Sequence, residues 1–165
     1  MSVSKSWKRL LESSHKLWTT FDTTQATRKV SQPALRAYLR RSNYTVDEAI
    51  VKSAAVDAAK LQYLTRTCTK LQRLTICGSF LIGESLTSAL PLAKSLQSLK
   101  ISPQITMGSV VEALRHVQAT IVDAEFEHVL YGGQSQFTWP RLETLRVLRV
   151  SRGRDQDIIL VRTST

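Results

Sequence analysis

A hydrophobic phrase of six residues returns every 25 residues along this chain. Its best copies are residues 71–76 (LQRLTI) and 96–101 (LQSLKI). Residues 46–51 (VDEAIV) stand 25 before the first, and residues 121–126 (IVDAEF) stand 25 after the second. Residues 142–147 (LETLRV) close the series after a shorter step of 21. A fixed period in this range marks a repeat architecture. Each unit cannot bury its apolar face alone and must stack on its neighbours.

The phrase has the spacing of a strand. Positions four and six are two residues apart, so on a strand their side chains share a face. That face is apolar in all five copies. Position five lies between them and is Ile50, Thr75, Lys100, Glu125 and Arg146, polar or charged in four of the five. Position one is always apolar and is expected to pack where the chain enters the strand. Ala49 and Ala124 are small for core positions, so the outer copies are weaker.

The stretches between strands are expected to bring the chain back as helices or turns. Residues 54–64 are rich in Ala and Leu, which favour helix. Thr106 can cap a helix over residues 110–117, with Ala113, Leu114 and Val117 on one side. Residues 85–90 form a shorter helical candidate, with Pro91 near its end. Residues 31–42 also have helical character. Gly132, Gly133 and the run to Pro140 predict a loop before the last strand. Strand, return helix and strand make a parallel sheet with helices on one face. The expected fold class is α/β, a solenoid with a curved parallel sheet and return helices.

The best copies match L-x-x-L-x-L and so resemble the strand half of a leucine-rich repeat. Upstream, residues 4–22 (SKSWKRLLESSHKLWTTFD) resemble the second half of an F-box. The matching residues are Trp7, Leu10, Leu11, Leu17, Trp18 and Asp22. Trp7, Leu10, Leu11 and Ser14 fall at i, i+3, i+4 and i+7 on one helical face, and Leu17 and Trp18 can fold back onto it. An F-box tail, a helical stretch and leucine-rich repeats in that order are similar to the F-box proteins common in fungi. The resemblance divides the chain into a partial F-box-like segment (1–24), a helical connection (25–45), a leucine-rich-repeat-like domain (46–150) and a tail (151–165). It implies a substrate receptor of an SCF-type ubiquitin ligase. Trp7, Leu10, Leu11, Leu17 and Trp18 would bind a small acidic adaptor, and the repeats would hold an unknown substrate protein. A complete F-box opens with a Leu-Pro and acidic-aliphatic stretch upstream of the matching region, which here begins three residues after Met1. The expectation is therefore a fragment with impaired adaptor binding.

Chemistry is sparse. His15, His116 and His128 show no metal-ligand spacing. No G-x-S-x-G elbow and no phosphate-binding glycine loop occurs. Asp123, Glu125 and Glu127 alternate on one strand face, but a calcium loop needs closer ligands and a turning glycine. No catalytic residue, metal or cofactor is expected, and the chain is read as a non-enzyme. Cys68 and Cys77 lack a second pair for a zinc site and are expected as reduced thiols, Cys68 in a core and Cys77 at a strand end.

Composition sets outer limits. Of 165 residues, 42% are hydrophobic and 22% charged, which fits a globular domain rather than a disordered or membrane-spanning chain. No secretory signal is visible, so a cytoplasmic or nuclear location is expected. Net charge is +10, and residues 1–41 hold +7 of it. Such a segment can meet an acidic partner, serve as a solvated face, or act as a mitochondrial presequence. Trp7 and Trp18 inside a packed-looking motif argue against a presequence. They also disfavour a nucleic-acid-associated protein using residues 1–41, the alternative function, because buried rings cannot stack on bases.

If the repeats stack, the exposed strand positions form the partner-binding face: Arg73 and Thr75, Ser98 and Lys100, Asp123 and Glu125, Thr144 and Arg146. Its charge runs basic, acidic, basic, which suits a protein partner better than a phosphate backbone.

Overall fold

The computed structural model describes residues 14–78, 83–130 and 137–151. Among these residues six strands form one sheet: β1 (Thr20–Asp22), β2 (Glu48–Lys52), β3 (Arg73–Cys77), β4 (Ser98–Thr106), β5 (Asp123–Leu130) and β6 (Val147–Val150). They lie in chain order, and every neighbouring pair is parallel. Among the described residues four α-helices lie between them: α1 (Gln32–Arg41), α2 (Ala58–Thr67), α3 (Gly83–Ala89) and α4 (Met107–Val117). The class is α/β. Among the described residues no helix is long and apolar enough to cross a membrane.

One backbone device repeats at every step. Asp47 and Glu48 N–H both donate to the Thr19 carbonyl, and Gln72 and Arg73 N–H both donate to that of Asp47. Gln97 and Ser98 repeat the pattern on Gln72, Val122 and Asp123 on Gln97, and Arg146 and Val147 on Val122. The device defines six rungs, starting at Trp18, Val46, Leu71, Leu96, Ile121 and Leu145. Their steps are 28, 25, 25, 25 and 24 residues. Position four is Phe21, Ala49, Leu74, Leu99, Ala124 and Leu148, all buried. Position six is Thr23, Val51, Ile76, Ile101, Phe126 and Val150, also buried.

Two findings differ from the sequence expectation. The last copy is residues 145–150 (LRVLRV), not 142–147. Leu142, Leu145 and Leu148 are spaced by three, so L-x-x-L fits twice. The hydrogen bonds to the Val122 carbonyl select the later frame. Thr144 and Arg146 therefore precede the strand, and Val147 and Arg149 take their places on its open face. The second finding is β1. Trp18, Phe21 and Thr23 form a first rung inside the F-box-like stretch. The weak outer copies are also filled: Phe21 stands beside Ala49 in register, and Phe126 occupies position six of the rung that carries Ala124.

The helices follow local rules. Ser31 Oγ caps α1 by accepting from Ala34 N–H, and Leu35 and Leu39 bury its inner face. Asp57 caps α2 at Lys60 N–H, so the helix starts at Ala58 rather than at residue 54. Residues 53–55 instead form a turn after β2. Thr106 caps α4 at Ser109 N–H, and Val110, Ala113, Leu114 and Val117 are buried. Pro91 lies in the 3₁₀ turn Leu90–Leu92 that follows α3. Strands and helices contribute to one core. Pro103 occupies a central strand where β4 slips by a residue against β5, between Ile101 and Gln104. Such a bulge tolerates a residue that cannot donate to the ladder.

The rung frame is testable by large-to-small substitution. Leu99→Ala and Leu148→Ala should each cost about 2–5 kcal/mol in urea unfolding. Leu142 is only half-buried, and Leu142→Ala should cost clearly less than Leu148→Ala. The reverse order would restore the earlier frame.

Candidate functional site

The helices cover one face of the sheet and leave the other open. Register aligns the outward positions into two rows. Position three gives Thr20, Glu48, Arg73, Ser98, Asp123 and Val147. Position five gives Asp22, Ile50, Thr75, Lys100, Glu125 and Arg149. Between Glu48 and Arg149 these rows line an open groove of about 410 Å³.

Six of the eight expected face residues stand together there: Arg73, Thr75, Ser98, Lys100, Asp123 and Glu125. Thr144 and Arg146 do not. The Thr144 hydroxyl donates to the Ile121 carbonyl at 2.8 Å, and Arg146 begins the β6 hydrogen-bond step. Glu48, Val147 and Arg149 line the groove without having been expected. Glu48 was visible in the sequence as position three of its copy, one place before the small core residue Ala49.

The face is cross-linked by its own charges. Arg73 Nε lies 3.3 Å from Glu48 Oε1, and an Arg73 terminal nitrogen lies 4.0 Å from Asp47 Oδ2. Lys100 Nζ lies 3.2 Å from Glu125 and 2.7 Å from Glu127. Arg149 reaches the other Glu125 oxygen at 3.6 Å. Hydrogen bonding to Glu127, with that to Glu125 and both carboxylate charges, raises the Lys100 pKa against the effect of burial. Burial pushes the Glu127 carboxyl up, but hydrogen bonds from Lys100 and Ser102 and the electrostatic influence of Lys100 and His128 bring it below its ordinary value. The alternating acids of β5 are thus partly engaged by cations of the neighbouring strands.

The remaining residues of interest are dispersed. Trp18 begins the first rung and packs edge-on to Tyr38 at 5.4 Å, and the Arg41 guanidinium lies 5.4 Å from its ring. Tyr38 also packs against Phe21 at 5.1 Å, and its hydroxyl donates to the Thr20 carbonyl. Leu17 is 60% exposed. Trp7, Leu10 and Leu11 lie outside the described residues. His116 faces Glu112 at 3.3 Å, and His128 is exposed. Cys68 is buried, which pushes its thiol up to about 11, while Cys77 is half-buried at the end of β3. Among the described residues no group of three or more His, Cys, Asp or Glu could hold a metal ion.

Compared with known protein families, curated proteins and solved structures, the chain matches none.

The Lys100 cluster has a definite pH signature. Glu127 has a lowered folded pKa, so its contribution is present above the unfolded carboxyl value and fades as pH falls through the folded one. Lys100 has a raised pKa, so its contribution is present below the unfolded amine value and fades as pH rises through the folded one. Lys100→Gln should cost less than about 1 kcal/mol at pH 7, because the cluster is partly exposed. Urea unfolding at about pH 3, below ordinary carboxylate values, should show that difference shrinking. A difference independent of pH would show that the ion pairs contribute nothing.

Proposed function

We propose that this chain is a protein-interaction module of F-box/leucine-rich-repeat type, with the open sheet face as its partner surface. It performs no chemistry of its own. The observation that carries this reading is the two-row face itself. Successive strands align polar and charged side chains on a rigid sheet. Glu48, Arg73, Lys100, Glu125 and Arg149 are already paired, so a partner must offer a complementary alternation to exchange those pairs. Charge complementarity of this kind supplies specificity and orientation more than raw affinity. A mixed-charge surface also suits a protein better than a phosphate backbone, which favours a continuous basic stripe.

The order of sequence motifs supplies the rest of the proposal. A Trp-containing segment, a helix and L-x-x-L-x-L rungs resemble the substrate receptors of SCF-type ligases. In that reading the acidic adaptor meets Trp7, Leu10, Leu11, Leu17 and Trp18. The substrate meets Arg73, Thr75, Ser98, Lys100, Asp123 and Glu125, together with Glu48 and Arg149.

Two measurements separate the parts of the proposal. A photo-crosslinking residue at Thr75 or Ser98 should form protein adducts in cells that one at Gln62, on the helix layer, does not. Equal adducts from Gln62 would remove the open face as the partner surface. Calorimetric titration with the acidic adaptor tests the F-box part. Binding should be weak and should fall at least tenfold in Trp7→Ala/Leu11→Ala. Absence of any binding, or binding indifferent to those substitutions, would leave a repeat protein without the F-box assignment.

A further inference from the structure

The positive charge of this protein is segregated. On the open face, Glu48 pairs with Arg73, and Glu125 with Lys100 and Arg149. At the edge where strands begin and helices end, the segments from the end of α1 to the start of the fourth rung carry Arg40, Arg41, Arg66, Lys70 and Lys94 against Asp47, whose carboxylate lies 4.0 Å from Arg73. Arg40 lies in the last turn of α1, and Arg66 in the last turn of α2. Lys70 immediately precedes the third rung, and Lys94 stands two residues before the fourth. All four are exposed. Among the described residues none of them forms an ion pair, and α1 and α2 contain no carboxylate.

These residues stand on adjoining segments. The Ser95 hydroxyl donates to the Thr69 carbonyl at 2.7 Å, which seats the Lys94 turn beside the Lys70 turn. The Arg36 guanidinium lies 5.6 Å from the Tyr63 ring, which joins α1 to α2. Cations in a last helical turn complement the helix dipole, and that accounts for Arg40 and Arg66. It does not account for Lys70 and Lys94, which follow the helix ends.

An aromatic ring stands at the same edge. α1 ends in a Schellman turn: Asn43 N–H donates to the Arg40 carbonyl, and Tyr44 N–H to that of Leu39. Asn43 has φ +49° and Tyr44 has φ +58°. A tyrosine in the left-handed region is uncommon and costs backbone strain. The residue is 39% exposed and stands just beyond Arg40.

We propose that this edge binds the phosphate backbone of single-stranded nucleic acid, with Arg40, Arg66, Lys70 and Lys94 as the phosphate contacts and Tyr44 as a stacking platform. A row of unpaired cations with an interleaved ring is the electrostatic footprint of such binding. A protein partner would instead need an apolar centre. Among the described residues from Arg40 to Lys94, this edge offers one exposed large apolar side chain, Tyr44. The site is separate from the open face and independent of the function proposed for it.

The test is fluorescence anisotropy with a labelled oligo(dT) of about 20 nucleotides, long enough to span several contacts, at a series of salt concentrations. R40Q/R66Q/K70Q/K94Q should bind at least tenfold more weakly than the unsubstituted protein. Its slope of log K against log salt should be shallower by about 3, from about 0.7 per lost phosphate contact on a single strand. The pair K70Q/K94Q, confined to surface turns, should weaken binding at least threefold and tests the same site if the fourfold variant folds poorly. The open-face variant R73Q/K100Q should bind within twofold of the unsubstituted protein. The proposal is overturned if the oligonucleotide does not bind, if the loss follows K5Q/K8Q/R9Q instead of the edge variants, or if poly-glutamate competes as well as oligo(dT). That last result would identify an acidic protein segment as the ligand.

Discussion

The rest of the structure depends on two adjacent N–H groups sharing one carbonyl of the rung before. The Thr19, Asp47, Gln72, Gln97 and Val122 carbonyls each receive such a pair. Parallel strands have no hairpin to set their register, so something else must fix it. This contact fixes it at the point where each strand begins. Once it is made, positions four and six align from Phe21 to Leu148 and from Thr23 to Val150. A slip of one residue would turn every apolar side chain outward, so the hydrophobic pattern and the backbone step enforce the same answer.

The core then tolerates uneven side chains because neighbours compensate. Ala49 is small at position four, and Phe21 of the preceding rung stands beside it in register. Ala124 is small at position four, and Phe126 is large at position six of the same strand. Close packing asks for constant total volume across facing positions, not for constant residues. At the first rung, Thr23 takes a core position usually held by an aliphatic residue. Its hydroxyl accepts from Lys52 N–H at 2.8 Å, so the buried oxygen is satisfied.

The same stacking organises the charges. Side chains one rung apart on neighbouring strands are about 5 Å apart at their Cα atoms, close enough for Arg73 to reach Glu48 and Lys100 to reach Glu125. The open face is therefore internally balanced. Arg40, Arg66, Lys70 and Lys94 form no ion pair among the described residues, and α1 and α2 carry no acids. In the linear sequence most of the excess charge falls in residues 1–41. In three dimensions part of it continues through Arg66, Lys70 and Lys94 along one edge.

Much of this was legible without coordinates. The period located β2, β3, β4 and β5, Ser31 and Thr106 marked two helix starts, and the burial of Leu74, Ile76, Leu99 and Ile101 follows from alternation. These are local properties, written in spacing and capping chemistry. The first rung was hidden because Trp18, Phe21 and Thr23 share neither the leucines nor the 25-residue step. The last rung was misplaced because Leu142, Leu145 and Leu148 satisfy the same short pattern in two frames. Only the Val122 carbonyl, supplied by a neighbouring strand, separates those frames, and with them it decides that Arg149 rather than Arg146 faces the groove. Local spacing marks the four middle strands, β2 to β5, and the apolar face of each. The tertiary structure decided register, and register decides which charges meet, because that depends on hydrogen bonds between residues far apart in the chain.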